Sequence, residues 1–207
     1  MLSVQVSGVA LVLSSAVGIP LGSWLAFRRF QGRRLMITLL YTGMGFPPVV
    51  VGLFVYLMVS RSGPLGWLGW LYTPKAMVGA QVVIAFPVIA VLTMAALMGV
   101  NPQLRRQVLS LGATNLQATV AVLREARVGV VVAIVGGFGS IISEVGAVMM
   151  VGGNIKGSSQ VLTSAIVQLT RMGIFDLAIA LGLILLAIAF ATNLALLFLQ
   201  GRGLTEW

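Results

Sequence analysis

The fold class this sequence predicts is an all-α integral membrane protein of about five spanning helices, on three observations. Of its 207 residues, 59% are hydrophobic and 8% are charged, whereas charged residues make up about a quarter of a soluble domain. Several apolar runs approach the ~20 residues a helix needs to cross a ~30 Å hydrocarbon core. The alternating strands of ~10 residues that mark a transmembrane barrel do not occur in the pattern.

The first run, 3–27, lacks a basic leader and outlasts the apolar core of a secretory signal, so it is expected to stay in the mature protein. The second, 35–60, follows "RRFQGRR", and the third, 74–99, follows "RSGPLGWLGWLYTPK". A polar segment, 101–127, precedes the fourth run at 128–151, and "GGNIKGSSQVLTSAIVQLTR" leads to the fifth at 174–200. One set of connections holds Arg28, Arg29, Arg33, Arg34, Arg105, Arg106, Arg124, Arg127 and Arg202; the other holds Arg61, Lys75, Lys156 and Arg171. Nine against four places the first set in the cytoplasm and the N-terminus outside, with the chain in the plasma (inner) membrane. The same bias accounts for the net charge of +9 without nucleic acid, since there is no long basic arm.

Trp67, Trp70 and Tyr72 cluster in the outer connection and read as interface anchors, the alternative being a partner contact. No repeat or linker-like tract divides the chain, so one membrane domain is expected over 1–207. Pro20, the pair Pro47-Pro48 and Pro87 lie inside apolar runs, where each removes a backbone donor and loosens the helix. The fourth run carries Gly129, Gly136, Gly137, Gly139 and Gly146. Its pairs Gly136/Ser140 and Gly139/Ser143 form a small-residue face, suited either to close helix packing or to lining a pathway.

With no cysteine and no histidine, thiol nucleophiles, disulfides, His-ligated metals and imidazole acid/base catalysis are excluded. The acidic residues are Glu125, Glu144, Asp176 and Glu206, and Glu144 is expected inside the fourth helix. An ionised side chain there costs roughly 2.5 kcal/mol or more unless paired, hydrated or near the interface. It reads as a structural carboxylate near the outer mouth, and no second acid shares its helix to make a catalytic pair. Beyond it, "VGGNIKGSS" leaves the helix through residues that favour left-handed backbone. Its amides, with Lys156, Ser158 and Ser159, suit an oxyanion but equally describe a solvated turn. Ser143, Glu144, Asn154 and Lys156 are therefore the candidate pathway or outer-mouth residues. No GxxxxGK[ST] loop occurs, so ATP bound in the P-loop manner must sit on another chain.

Segment 101–127 opens with Asn-Pro and places Leu104, Val108 and Leu111 at helical spacing. Gly112 permits a turn, after which Leu116, Val120 and Leu123 share one face of a second short helix. Such a hairpin is too polar to insert and too apolar on one face to be left bare, so it is expected to dock. Here the sequence resembles the membrane subunit of type I ATP-binding cassette importers, whose cytoplasmic loop carries a "Glu-Ala-Ala, three residues, Gly" signature and forms the coupling helix. Leu111, Gly112 and Ala113 match it, while Arg106, Gln107 and Val108 stand in place of Glu-Ala-Ala, which alters the ionic part of docking and leaves a hydrophobic plug. The stretches "GFPPVVVGLFVYLMVSRSGPLGWLG" and "ISEVGAVMMVGGNIKG" resemble the permease subunits of tungstate importers, relatives of the molybdate and sulfate permeases. Sequences of that family commonly carry extra residues before the first helix, whereas this chain starts almost inside it.

The resemblance implies a permease for a tetrahedral oxyanion, tungstate first, and not an enzyme. It implies two copies of the chain forming the pathway in the bilayer and an extracytoplasmic oxyanion-binding protein delivering substrate. Two ATPase subunits, carrying ATP and Mg, would dock around Leu111, Gly112, Ala113 and Leu116; this chain itself would hold no cofactor. With only "GRGLTEW" after the fifth helix, inhibition by an appended domain is not expected. Molybdate or sulfate is the alternative substrate. A non-transporting membrane scaffold is the alternative of another class; it leaves the hairpin and the helix breaks without a purpose. An intramembrane enzyme would need a nucleophile and base or metal ligands, for which neither His nor Cys is present.

Overall fold

A computed structural model describes residues 2–199; Arg202 and Glu206, counted above, and the tail around them lie outside the described residues. Those residues form ten α-helices and no strand: α1 (Leu2–Phe27), α2 (Arg33–Met44), α3 (Pro48–Val59), α4 (Pro74–Met98), α5 (Pro102–Ser110), α6 (Asn115–Glu125), α7 (Arg127–Ile142), α8 (Gly146–Gly152), α9 (Leu162–Arg171) and α10 (Phe175–Leu199). By length and apolarity α1, α4 and α10 can each cross a membrane alone. Two bent pairs, α2 with α3 and α7 with α8, bring the number of spans to five if each pair counts as one.

Both pairs correct the expectation of one helix each over 35–60 and 128–151. Between α2 and α3 the chain bends by 105°. Pro47 and Pro48 supply no amide hydrogen, and a residue before proline is pushed out of helical backbone. Between α7 and α8 the bend is 59°, and no proline is present. Pro20 and Pro87 lie within continuous helices and break neither. The connection 152–171, read as a loop, contains the separate helix α9.

The core forms around α4, which packs against α1, α7, α2, α8 and α3. Close approach is made by glycines on its neighbours. A Cβ on Gly18 of α1 would lie 3.1 Å from Ile89 Cγ2, and one on Gly22 would collide with the carbonyl of Ala90. On α7, a Cβ at Gly129 would lie 2.5 Å from that of Ala96, and one at Gly137 would lie 2.5 Å from Ile89 Cγ1. Small residues let helices approach where lipid tails compete equally for apolar surface, so fit decides the pairing. The packing face of α7 is therefore Gly129, Gly136 and Gly137, because Gly139 of the expected Gly139/Ser143 pair has nothing within 4 Å.

Helix ends are closed by side chains from the connections. Arg33 Nε donates to the Leu25 carbonyl at 2.9 Å, satisfying an acceptor that the last turn of α1 leaves free. The aromatic cluster divides: Trp67 is 81% exposed, whereas Trp70 packs on the core cluster of Val51, Met77 and Val151. Tyr72 donates its backbone amide to the Val151 carbonyl at 2.9 Å and so ties down the end of α8.

The contact between α3 and α8 leaves no space for a side chain at Gly52, where a Cβ would lie 2.5 Å from the Ala147 Cα. Gly52→Val is expected to destabilise the protein by about 1–3 kcal/mol or more, read as a lowered Tm in detergent. Gly8→Ala, at a helical position with nothing within 4 Å, is the control and should not lower the Tm.

Candidate functional site

The two bends meet. A Cβ on Gly146, the first residue of α8, would lie 2.6 Å from Val49 Cγ2 at the start of α3, and Gly52 faces Ala147 one turn further along. Each bend frees backbone groups that water cannot reach in a membrane interior, so each needs partners from nearby side chains. The proline bend needs fewer, because two of its residues carry no amide hydrogen.

At the α7–α8 bend three side chains act. Glu144 Oε1 accepts from the Ala147 amide at 2.8 Å. Gln81 Nε2, from the middle of α4, donates to the Ile141 carbonyl at 3.0 Å. Thr163 Oγ1, from α9, donates to the Glu144 carbonyl at 3.1 Å. Glu144 thus lies in the bend and not inside a helix as expected, and at 8% exposure it is nearly buried. A carboxylate beside the first amides of a helix meets the positive end of the backbone dipoles, which offsets part of its desolvation.

The four candidate pathway residues do not converge. Ser143 and Glu144 share the bend, but Asn154 and Lys156 lie beyond the other end of α8, whose seven residues span roughly 10 Å. Ser143 is exposed and its hydroxyl donates back to the Gly139 carbonyl at 3.0 Å. Asn154 adopts a φ of 50° and donates to Gln168 Oε1 at 2.9 Å, an oxygen that also accepts from Gln160 Nε2 at 2.7 Å. In the glycine-rich turn, Ser159 accepts from the Ile155 amide at 3.1 Å and donates to the Gly152 carbonyl. These bonds brace the turn but leave Asn154 Oδ1 buried without a partner, and Lys156 stands exposed beside it.

The polar segment is a helical hairpin, and its boundaries follow local chemistry. Asn101 Oδ1 accepts from the Gln103 amide at 2.9 Å and caps α5. Thr114 and Gln117 cap α6 reciprocally: the Thr114 amide donates to Gln117 Oε1 at 2.8 Å and the Gln117 amide to Thr114 Oγ1 at 3.3 Å. Gly112 takes a φ of +88° between them, a conformation that costs little only without a Cβ. Arg105 clamps the pair, with Nη2 donating to Asn115 Oδ1 at 2.9 Å and its guanidinium 5.2 Å from the centre of the Phe27 ring.

Of the residues assigned to docking, Leu111 is 87% and Leu116 is 74% exposed, on either side of Gly112 and the half-buried Ala113. Leu116, Val120 and Leu123 do share a face, and with Trp24 and Phe27 of α1 that face lines a groove of about 510 Å³. The buried side of α6 is instead Ala118 with Val122, the latter packed among Leu97 and Ala126. Gln81 and Thr163 were missed from sequence. Gln81 carried a signal, as the single amide in the apolar run 74–99, whereas Thr163 had none while its segment passed for a loop.

Comparisons with known proteins bear on this arrangement. Residues 18–202 match the family described as binding-protein-dependent transport system inner membrane component. The chain is 44% identical to the tungstate uptake system permease protein TupB of Peptoclostridium acidaminophilum, over 96% of this chain and 87% of that one. It is 43% identical to a probable anion ABC transporter permease protein of Haloferax volcanii, over 92% and 84% of the two chains. Identity to the molybdenum transport system permease protein ModB of Escherichia coli is 29%, over 83% and 78%. A hairpin presenting bare leucines, bent spans that meet at a buried carboxylate, and a match over most of the chain agree: it belongs to the family of binding-protein-dependent transport system inner membrane components.

Proposed function

We propose that the chain is the permease subunit of an ATP-driven importer of tetrahedral oxyanions, with tungstate as its substrate. The substrate assignment is carried by the 44% identity to a tungstate uptake permease, against 29% to a molybdenum permease. In this reading an extracytoplasmic binding protein delivers the anion to a pathway between two copies of the chain. Ser143, exposed at the bend, is compatible with that arrangement, since the described residues do not bury it. The anion is met only briefly, so hydroxyls and backbone amides suffice and no tight site is required.

Energy enters through the hairpin. The chain has no phosphate loop, so ATP and Mg belong to a partner ATPase, and Leu111 and Leu116 are the apolar knobs it receives. The excess of arginine on the hairpin side of the spans supports a cytoplasmic hairpin with the start of α1 outside. Clamping by Arg105 makes the hairpin a stiff lever that couples ATPase closure to α7 through the short joint at Ala126.

Two outcomes are expected. Cells carrying this gene with its ATPase and binding protein should take up labelled tungstate; excess unlabelled tungstate should abolish uptake and equal excesses of molybdate or sulfate should not. Equal block by molybdate would widen the substrate, and absence of gene-dependent uptake would remove the reading. Gly112→Pro forces φ away from +88° and removes the amide that donates to the Leu109 carbonyl at 3.1 Å, a strain of roughly 1–3 kcal/mol. Uptake should fall by about tenfold or more while ATP hydrolysis continues, and normal coupling in this variant would contradict the role given to the hairpin.

A further inference from the structure

Gln81 is 4% exposed on the inner face of α4, where its neighbours in the core are Met77, Ala80 and Ala85. Its Oε1 is buried with no hydrogen-bond partner. A methionine of similar volume would fill the site without leaving an oxygen unpaired, so packing does not account for an amide here. What the amide provides is a donor to the Ile141 carbonyl at 3.0 Å. In an unbroken helix that carbonyl belongs to the amide of Val145, four residues on. In the bent form it is left instead with the amides of Ser143, only two residues on, and of Glu144 at 3.3 Å, in place of the α-helical partner. The Gln81 bond therefore counts for more when α7–α8 is bent than when it is straight, and a group that favours one of two forms shifts their populations.

We infer that Gln81 is a positioning residue that holds the α7–α8 span in its bent form and thereby orients Ser143 and Glu144 during transport. This rests on the permease reading above. Thr163 of α9 supports the same bend through the Glu144 carbonyl.

The chain has no cysteine, so a pair of spin labels can be placed cleanly. Val132 on α7 and Ile155 beyond α8 are both exposed and flank the bend. Val132→Cys with Ile155→Cys, labelled and diluted into unlabelled copies in the complex with the ATPase, reports the bend as an interspin distance that lengthens on straightening. Gln81→Met is expected to lower the bent-to-straight ratio by about three- to tenfold, the change that follows loss of one hydrogen bond of ordinary net strength. It should reduce kcat for uptake while leaving the apparent KM for loaded binding protein unchanged. If Gln81→Met does not assemble, Gln81→Asn, which keeps the amide but withdraws it by one carbon, is expected to move the ratio in the same direction. An unchanged distance distribution in a variant that assembles overturns the inference. Because the distance is read without transport, failure of the unmodified complex to take up tungstate would remove the permease reading and leave this result standing by itself.

Discussion

A backbone carbonyl inside a membrane has no water to turn to, and the organisation of this chain follows from that constraint. Unbroken helices meet most of it internally, and α1 and α4, which contain Pro20 and Pro87, add a bond from Ser14 to the Val82 carbonyl at 3.4 Å. Each bent span must borrow. The α7–α8 bend borrows from α4 through Gln81, from α9 through Thr163 and from itself through Glu144, so two other stretches of sequence are tied to one joint. Helix α4 can serve because it lies at the centre, and it lies at the centre because glycines on α1 and α7 let them approach it closely.

The two bends differ in origin. The α2–α3 bend is written locally, in Pro47 and Pro48, and a variant without them should run straight through. The α7–α8 bend has no such residue, and its angle exists only in the packed protein. A joint held by a few side-chain bonds has smaller differences between its forms than one held by covalent geometry, which suits a part that must move. A rigid joint at α3 packed against an adjustable one at α8 gives a fixed reference beside a movable element.

The same contrast explains what could be read from the sequence. Hydrophobic runs and the Asn101, Gly112 and Thr114/Gln117 signals act locally, and the hairpin and the unbroken spans α1, α4 and α10 that they mark are where they were expected. The position of Glu144 outside a helix was not legible, because "ISEVGAVMM" is apolar enough to continue one, and two of the three side-chain bonds at the bend come from Gln81, 60 positions from its partner, and from α9. Connection 152–171 hid α9 because its glycines and serines, which do form a turn, come first and its amphipathic "LTSAIVQLTR" follows. Asn154 and Lys156 read as partners of Ser143 and Glu144 by sequence proximity, but α8 holds them apart. Leu111 and Leu116 remain bare for the reason that made the hairpin conspicuous: nothing in this chain covers them.

The most direct test of the account is ATP hydrolysis by the partner ATPase in proteoliposomes with and without this chain, as loaded binding protein is added. The account predicts that hydrolysis rises with tungstate-loaded binding protein only when this chain is present, and that Leu116→Asp abolishes the rise by placing a charge on the docking face. An ATPase that neither associates with this chain nor responds to the loaded binding protein through it would contradict the account and return the chain to the class of membrane scaffolds.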